Sequence, residues 1–441
     1  MQEYVNSKGI SILNKIYDVA ELASDKKQDL KSEPSYLRHK PIVDLSGKAK
    51  FDSESTIDQF NNRILTKYKL LEDKKIGFEK DGIDEILNLI RQIIKDTKIA
   101  DTIAENFLFE EIFEWAILYY QKKETRLLSV FILEACNKTI QSFAIYIPIL
   151  YLETNAEFDI GRTRFCYLTD VYINELSKKI EEDKREFYIK SLQKFKGQLF
   201  GKCYITAQKE KATEIAKKQI VEAIDVLRLL SPTVEVPDYK IFYDVDFLNL
   251  HQIQSTTLSQ PVEDEHFLSV SHSRIPIPFI INQTAWDAMT KLQLKKFHVF
   301  LQKELPKTEL EKLILKAIRN FSKAIANHNL HERVIQVFTV LESLLLPNEN
   351  APILDSISKY LPKLVSDKTE ERRMTVDVIK EMYEIRSSMV HHAIEKELNI
   401  DSLSKLCIVC RILITQFLYL TQTKKNKQEI LKDIDDRLMN A

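Results

Sequence analysis

Glycine is scarce in this sequence, with 7 residues in 441 against roughly 7% usual in proteins. A chain that seldom needs positive φ makes few tight turns, which favours long helices over meandering sheets. Cysteine is scarce too. The five present, Cys136, Cys166, Cys203, Cys407 and Cys410, form an odd and scattered set, which argues against a disulfide framework and for a reducing, cytoplasmic setting. An excess of one charge is absent, since 64 basic residues face 65 acidic ones for a net charge of −1. No global field pulls such a chain onto nucleic acid, so binding of that kind needs a local patch. Long apolar runs are missing as well. The longest, residues 143–152, is interrupted by Pro148 and reaches about half of the ~20 residues that a membrane helix needs, so no membrane partner is expected. The first residues, Met1-Gln-Glu-Tyr4, lack the charged-then-apolar layout of a signal peptide. Nor is there a Walker-type glycine loop, a nucleophile elbow or a dinucleotide fingerprint; no cofactor is implied.

What is present is a balanced globular composition, 44% hydrophobic and 29% charged, over a length well beyond the ~150 residues typical of one domain. The texture divides it in three, giving a mainly α protein with an α+β middle domain. Residues 1–140 alternate apolar and charged positions at helical spacing, most clearly over 84–99 and 110–131, and form a helical region of unassigned role. A polar stretch with Pro34 and Pro41 reads as a loop. Residues 141–290 form the α+β domain, a candidate sensor. Strand-like runs occupy 143–152, 164–168, 201–206, 241–247 and 266–270, followed by Ile275-Pro-Ile-Pro-Phe279, with one long amphipathic helix over 210–230. Residues 291–441 return to helix. The spacing predicts helices at 309–327, 331–346, 352–364, 370–393 and 400–421, with breaks at Pro347, Pro362 and 394–401, and these make an antiparallel bundle.

The helix carrying Tyr383-Glu-Ile-Arg-Ser-Ser-Met-Val-His-His392 repays projection at ~100° per residue. Val378, Met382, Ile385, Met389 and His392 share one stripe, which Ile379, Tyr383 and Val390 widen into an apolar arc. Arg386 lies within that arc. His391 falls on the polar face with Lys380, Glu384 and Ser387, and His392 on the edge of the core stripe. A guanidinium within an apolar arc needs a partner, and Glu342 is the single acid on the apolar arc of Val334, Ile335, Phe338, Leu341, Leu345 and Leu346. Two lone charges on facing arcs suggest a bidentate ion pair.

Arg386-Ser-Ser-Met-Val-His391, preceded by Tyr383, resembles the Arg-x4-6-His signature of HEPN domains. Phe338-Thr-Val-Leu-Glu-Ser-Leu-Leu345 is similar to the Ala-Leu-Glu-x-Leu helix of the Apea-like HEPN family. The run from Cys203-Tyr-Ile-Thr-Ala-Gln208 to Leu227-Arg-Leu-Leu-Ser231 is similar to the domain that precedes HEPN there. The resemblance covers residues 141–435. It implies a HEPN-type bundle acting as a homodimer and a metal-independent endoribonuclease without cofactor, in anti-phage defence or toxin-like growth restriction. Its target would be tRNA or other cellular RNA, under a phage-derived or nucleotide trigger that the sequence leaves open. In that reading His391 is the general acid or base at a ribose 2′-hydroxyl, and Arg386 stabilises charge on the phosphate. Glu342, Tyr383, Ser387 and His392 support them. Arg386 and His391 lie about 140° apart around a helix, so a pairing of two helices or a bend at the motif is needed to join them. Two departures from the family pattern, Ser387 directly after the arginine and His392 after the histidine, keep a second reading open: a catalytically silent bundle serving as an RNA-binding or dimerisation module.

Other constellations have plainer readings. Arg372 and Arg373 are weak candidates for RNA phosphates, though a solvated first turn explains them as well. Lys424-Lys-Asn-Lys427 reads as a soluble tail. Cys407-Ile-Val-Cys410 has CxxC spacing inside an apolar helix and reads as core, because zinc needs four ligands. His328, His331 and Glu332 have metal-pair spacing but no further ligands in sequence, so no metal is expected.

Overall fold

A computed structural model of the protein describes residues 1–20, 53–57, 64–71, 74–178, 182–245, 256–259, 269–272, 278–303 and 307–439. The stretch around Pro34 and Pro41, and residues 275–277 of the proline-rich run, lie outside them. The described residues are mostly helical, with a curled antiparallel sheet in the middle of the chain. Two compact units emerge: Met1–Phe143 with Ile205–Ile215, and Ala144–Tyr204 with Ala216–Ala441. Boundaries expected near 140 and 290 thus meet one division near the first and none near the second, and the middle segment shares a unit with the carboxy-terminal helices.

The first unit holds α1 (Gln2–Leu13), β1 (Tyr17–Ala20), β2 (Ser53–Ile57), β3 (Ile64–Leu71), β4 (Lys74–Phe78), α2 (Lys80–Asp96), α3 (Glu105–Tyr120) and α4 (Leu128–Thr139). Its core joins Phe78, Ile83, Ile86 and Leu89 to Leu108, Ile112, Phe113 and Trp115. The reading of this region as helical misses a four-stranded antiparallel sheet in the order β1-β4-β3-β2. The cause is that β3 carries lysines. Lys67, only 7% exposed, is ion-paired with Glu110, and Lys69 Nζ meets Glu114 at 2.7 Å, so polar residues that suggest solvent face α3. The helix expected over 110–131 is two helices, parted at a turn where Lys122 takes φ 58°.

The middle of the chain, most of it in the second unit, begins with strands β5 (Gln141–Leu150), β6 (Leu152–Thr154), β7 (Phe158–Ile160) and β8 (Thr163–Tyr167). Helices α5 (Asp170–Ser177) and α6 (Glu182–Gln193), β9 (Leu199–Ala207) and α7 (Lys209–Leu229) follow. Then come β10 (Asp244–Val245), β11 (Thr256–Ser259), β12 (Ser269–His272) and β13 (Phe279–Ile281). The main sheet runs β10-β5-β9-β8-β7. Where α7 crosses β9 the Ile220 side chain packs directly on the strand backbone, so that a Cβ on Gly201 would lie 2.7 Å from its Cγ2.

Helices α8 (Gln283–Lys291), α9 (Leu294–Gln302), α10 (Glu309–Ala326), α11 (Leu330–Leu345), α12 (Ile353–Val365), α13 (Thr369–His392), α14 (Ile400–Leu420) and α15 (Lys427–Met439) complete the unit. Their starts are written in side chains. Thr308 and Glu311 form a capping box on α10, while Asn329 and Asn399 cap α11 and α14. Pro362 does not break α12, which runs on to Val365; it falls in the last turn, where one lost backbone bond is tolerated. α14 is apolar enough over 21 residues to cross a membrane by length and composition. Packing accounts for that: it touches α10, α11, α12 and α13 and buries Leu403, Leu406, Ile414 and Phe417 among them. It also carries the buried Arg411, whose Nη2 donates to Glu235 Oε1 at 2.8 Å. All five cysteines are buried and free.

Candidate active site on the motif helix

α13 runs unbroken from Thr369 to His392, so the motif lies within one continuous helix. The helix is anchored by its middle: Thr375, Ile379, Met382 and Ile385 are buried, and α11, α12 and α14 pack against it. Arg386 sits on this anchored part. Its Nη2 donates to Glu342 Oε1 on α11 at 3.0 Å, with the two side chains 14% and 23% exposed. The pair implied by two lone charges is present, but it is monodentate where a bidentate one was expected. Arg386 Nε is buried with no hydrogen-bond partner. Tyr383 lies beside it, its ring centroid 5.7 Å from the guanidinium carbon, and packs edge-on against Phe338 at 5.7 Å.

The last turn is different. Ser387 and Met389 are half-buried, while Val390, His391, His392 and Ala393 are all exposed. His392 and Val390 therefore leave the apolar stripe that periodicity assigns them, because from residue 390 to the end of the helix every side chain stands in solvent whichever way it points. The rings of His391 and His392 lie 6.4 Å apart. Ala393 closes the helix with φ 53°, and its N–H donates to Met389 O at 3.1 Å. The segment beyond returns to the bundle, where His331 Nε2 lies 2.8 Å from Lys396 O and Lys396 Nζ 3.6 Å from Glu384 Oε2. Arg386 and His391 are thus presented differently, one half-buried and engaged, the other exposed and unengaged among the described residues. Within one chain they are not brought together.

Arg372 and Arg373 sit at the opposite end of α13. Arg372 is half-buried and donates through Nε to Ser366 O at 2.8 Å, whereas Arg373 is exposed. His328 and His331 are spent on backbone carbonyls, Ile241 O and Lys396 O, and no cluster of three metal-capable side chains occurs among the described residues. Cys407 and Cys410 are wholly buried, and burial pushes the Cys407 thiol up to about 12.

Sequence reasoning passed over two features. Arg333 of α11 is fully buried; its Nε and Nη2 donate to Asn327 O at 3.2 and 2.8 Å, and its Nη1 to Pro237 O at 2.9 Å. The signal was a second apolar stripe, Val337, Val340 and Leu344, in phase with Arg333. The basic run 424–427 is no tail. Lys424 is ion-paired with Asp433, Lys427 Nζ donates to Ser343 O at 3.1 Å, and α15 packs on α11 and α12. Comparison of the chain with protein-family models, curated proteins and solved structures returns no match.

Proposed function

We infer that the chain is a metal-independent endoribonuclease of HEPN type, working as a homodimer in anti-phage defence or toxin-like growth restriction. The observation that carries this reading is the contrast along Arg386-x4-His391: a positioned guanidinium five residues before an exposed imidazole on one helix. The chemistry is a transesterification. A ribose 2′-oxygen attacks the adjacent phosphorus as a histidine removes its proton, the 5′-oxygen leaves with a proton, and the ends are a 2′,3′-cyclic phosphate and a 5′-hydroxyl. Arg386 faces the charge that develops on the phosphoryl oxygens, and Glu342 and Tyr383 hold it. Because the two residues stand apart on one helix, a complete site needs the last turns of two copies side by side. Ser387, half-buried between them, is a hydroxyl donor at the cleft edge.

The test is cleavage of total RNA by the full chain in excess chelator, with end-group analysis, beside His391→Ala. Cyclic-phosphate ends that vanish in a variant of unchanged melting temperature support the reading. Cutting that persists in the variant removes it. The separation of Arg386 and His391 in one chain favours a second reading, a silent bundle that binds RNA or dimerises. Its mark is RNA retention or dimer formation without cleavage in either protein.

A further inference from the structure

A cavity of about 410 Å³ opens where the ends of four helices of the second unit meet: the last turn of α12, the first of α13, the last of α14, and α15. Its volume lies within the range of small-ligand sites. Four basic side chains reach its wall, Lys363, Arg372, Lys424 and Arg437, against two acids, Asp367 and Asp433. In a chain of net charge −1 that is a local excess of positive charge. Both acids are already engaged. Asp433 is paired with Lys424, and Asp367, fully exposed, stands 3.7 Å from Arg372 Nη2. The nearby Asp435 is held by Lys359 at 2.8 Å and accepts from Tyr360 Oη at 3.1 Å. Lys363 and Arg437 form no ion pair among the described residues. Burial, and then the cations Lys359 and Arg372, hold the Lys363 ammonium below its ordinary value against the opposing pull of Asp435.

Lys363 and Arg437, neither of them ion-paired among the described residues, line this wall beside Arg372, and like charges gathered there repel unless an anion occupies the space. A phosphate suits it, with several acceptor oxygens for donors that arrive from different helices. The remainder of the wall is aliphatic, with Leu420, Ile430 and Ile434, a floor for an organic group. We propose that this cavity binds a small phosphate monoester, with Lys363, Arg372 and Arg437 as the partners of its phosphate. Arg372 and His391 are 19 positions apart on α13, about 28 Å along a helix. The site is therefore separate from the motif and does not depend on the nuclease reading. A concave cavity with Asp367 at its rim suits a compact monoester better than an extended RNA backbone.

The experiment is calorimetric titration of the full chain, at low ionic strength, with AMP, inorganic phosphate and a short oligoribonucleotide. The same titrations are run on Lys363→Met, Arg437→Gln and His391→Ala. AMP and phosphate should bind the wild type and His391→Ala alike. Lys363→Met should weaken both by about tenfold or more, the equivalent of about 1.4 kcal/mol, while melting at or above the wild-type temperature without ligand. That pairing of lost binding with kept stability separates a binding role from a structural one. Heat from neither AMP nor phosphate, or equal affinity in Lys363→Met, overturns the proposal. Binding of the oligoribonucleotide without AMP or phosphate overturns it in favour of an RNA contact.

Discussion

Two arginines in the same bundle are treated in opposite ways. Arg333, at the start of α11, is fully buried and answered by two backbone carbonyls through three hydrogen bonds. No acid pairs with it among the described residues, and burial alone draws its guanidinium below the ordinary value. Arg386, near the end of α13, is partly exposed and has a carboxylate partner, yet it meets that partner through one nitrogen and leaves Nε unanswered. The first is a fixed structural cation that ties α11 to the segments before it. The second stands at the margin of the packed core, held by one carboxylate bond, with a buried Nε that nothing answers. Being buried and being charged do not by themselves mark a functional side chain.

Substitutions put that contrast at risk in order of size. Arg333→Ala strands Asn327 O and Pro237 O inside the unit and opens a void, and we expect a loss of about 3–5 kcal/mol in urea unfolding. A loss under about 1 kcal/mol would mean that burial is a poor guide here. Asp225 extends the contrast to an acid. It is 3% exposed, with Oδ2 4.0 Å from Arg319 Nε, and burial raises its carboxyl to about 6 against the nearby Arg228 and Arg319. The folded state then holds the proton more tightly than the unfolded one, so this group's contribution is full below 3.8 and falls as pH rises to about 6. Asp225→Asn should flatten that fall and gain about 2 kcal/mol at neutral pH; a variant as pH-sensitive as the wild type refutes the assignment. Arg386→Ala comes next, at about 1–2 kcal/mol because the pair is partly solvated. Arg386→Met combined with Glu342→Leu should recover most of that loss without recovering cleavage. His391→Ala should move stability by no more than about 0.5 kcal/mol while abolishing cutting, the smallest effect on the fold and the largest on the proposed activity.

Much of the bundle was legible in the sequence because its helices are amphipathic and capped by polar residues. Spans expected at 309–327, 331–346 and 400–421 are met by Glu309–Ala326, Leu330–Leu345 and Ile400–Leu420, each behind a threonine or asparagine cap. The strand over 201–206 is met by Leu199–Ala207. The amino-terminal sheet was not legible, since Lys67 and Lys69 satisfy acids on α3 and a period-2 pattern with inward lysines looks polar. At the candidate site, the partnership of Arg386 with Glu342 could be read from lone charges on apolar arcs. Its single bond could not, because how a guanidinium meets a carboxylate is a matter of side-chain geometry. His392 was misplaced for a related reason: helical phase says which way a side chain points, not how far along the axis the neighbouring helices reach. The four-helix cavity escaped notice because its cations come from four separate segments.

The five buried thiols have a consequence for measurement. Burial raises Cys136 and Cys203 to about 11 and Cys407 to about 12, so the folded chain holds almost no thiolate at neutral pH, and a thiol reagent reaches sulfur only when the surrounding structure opens. Cys136 lies in the first unit and the other four in the second. The order in which an alkylating mass tag accumulates on these cysteines therefore clocks the opening of each unit separately, within one molecule, without any engineered probe.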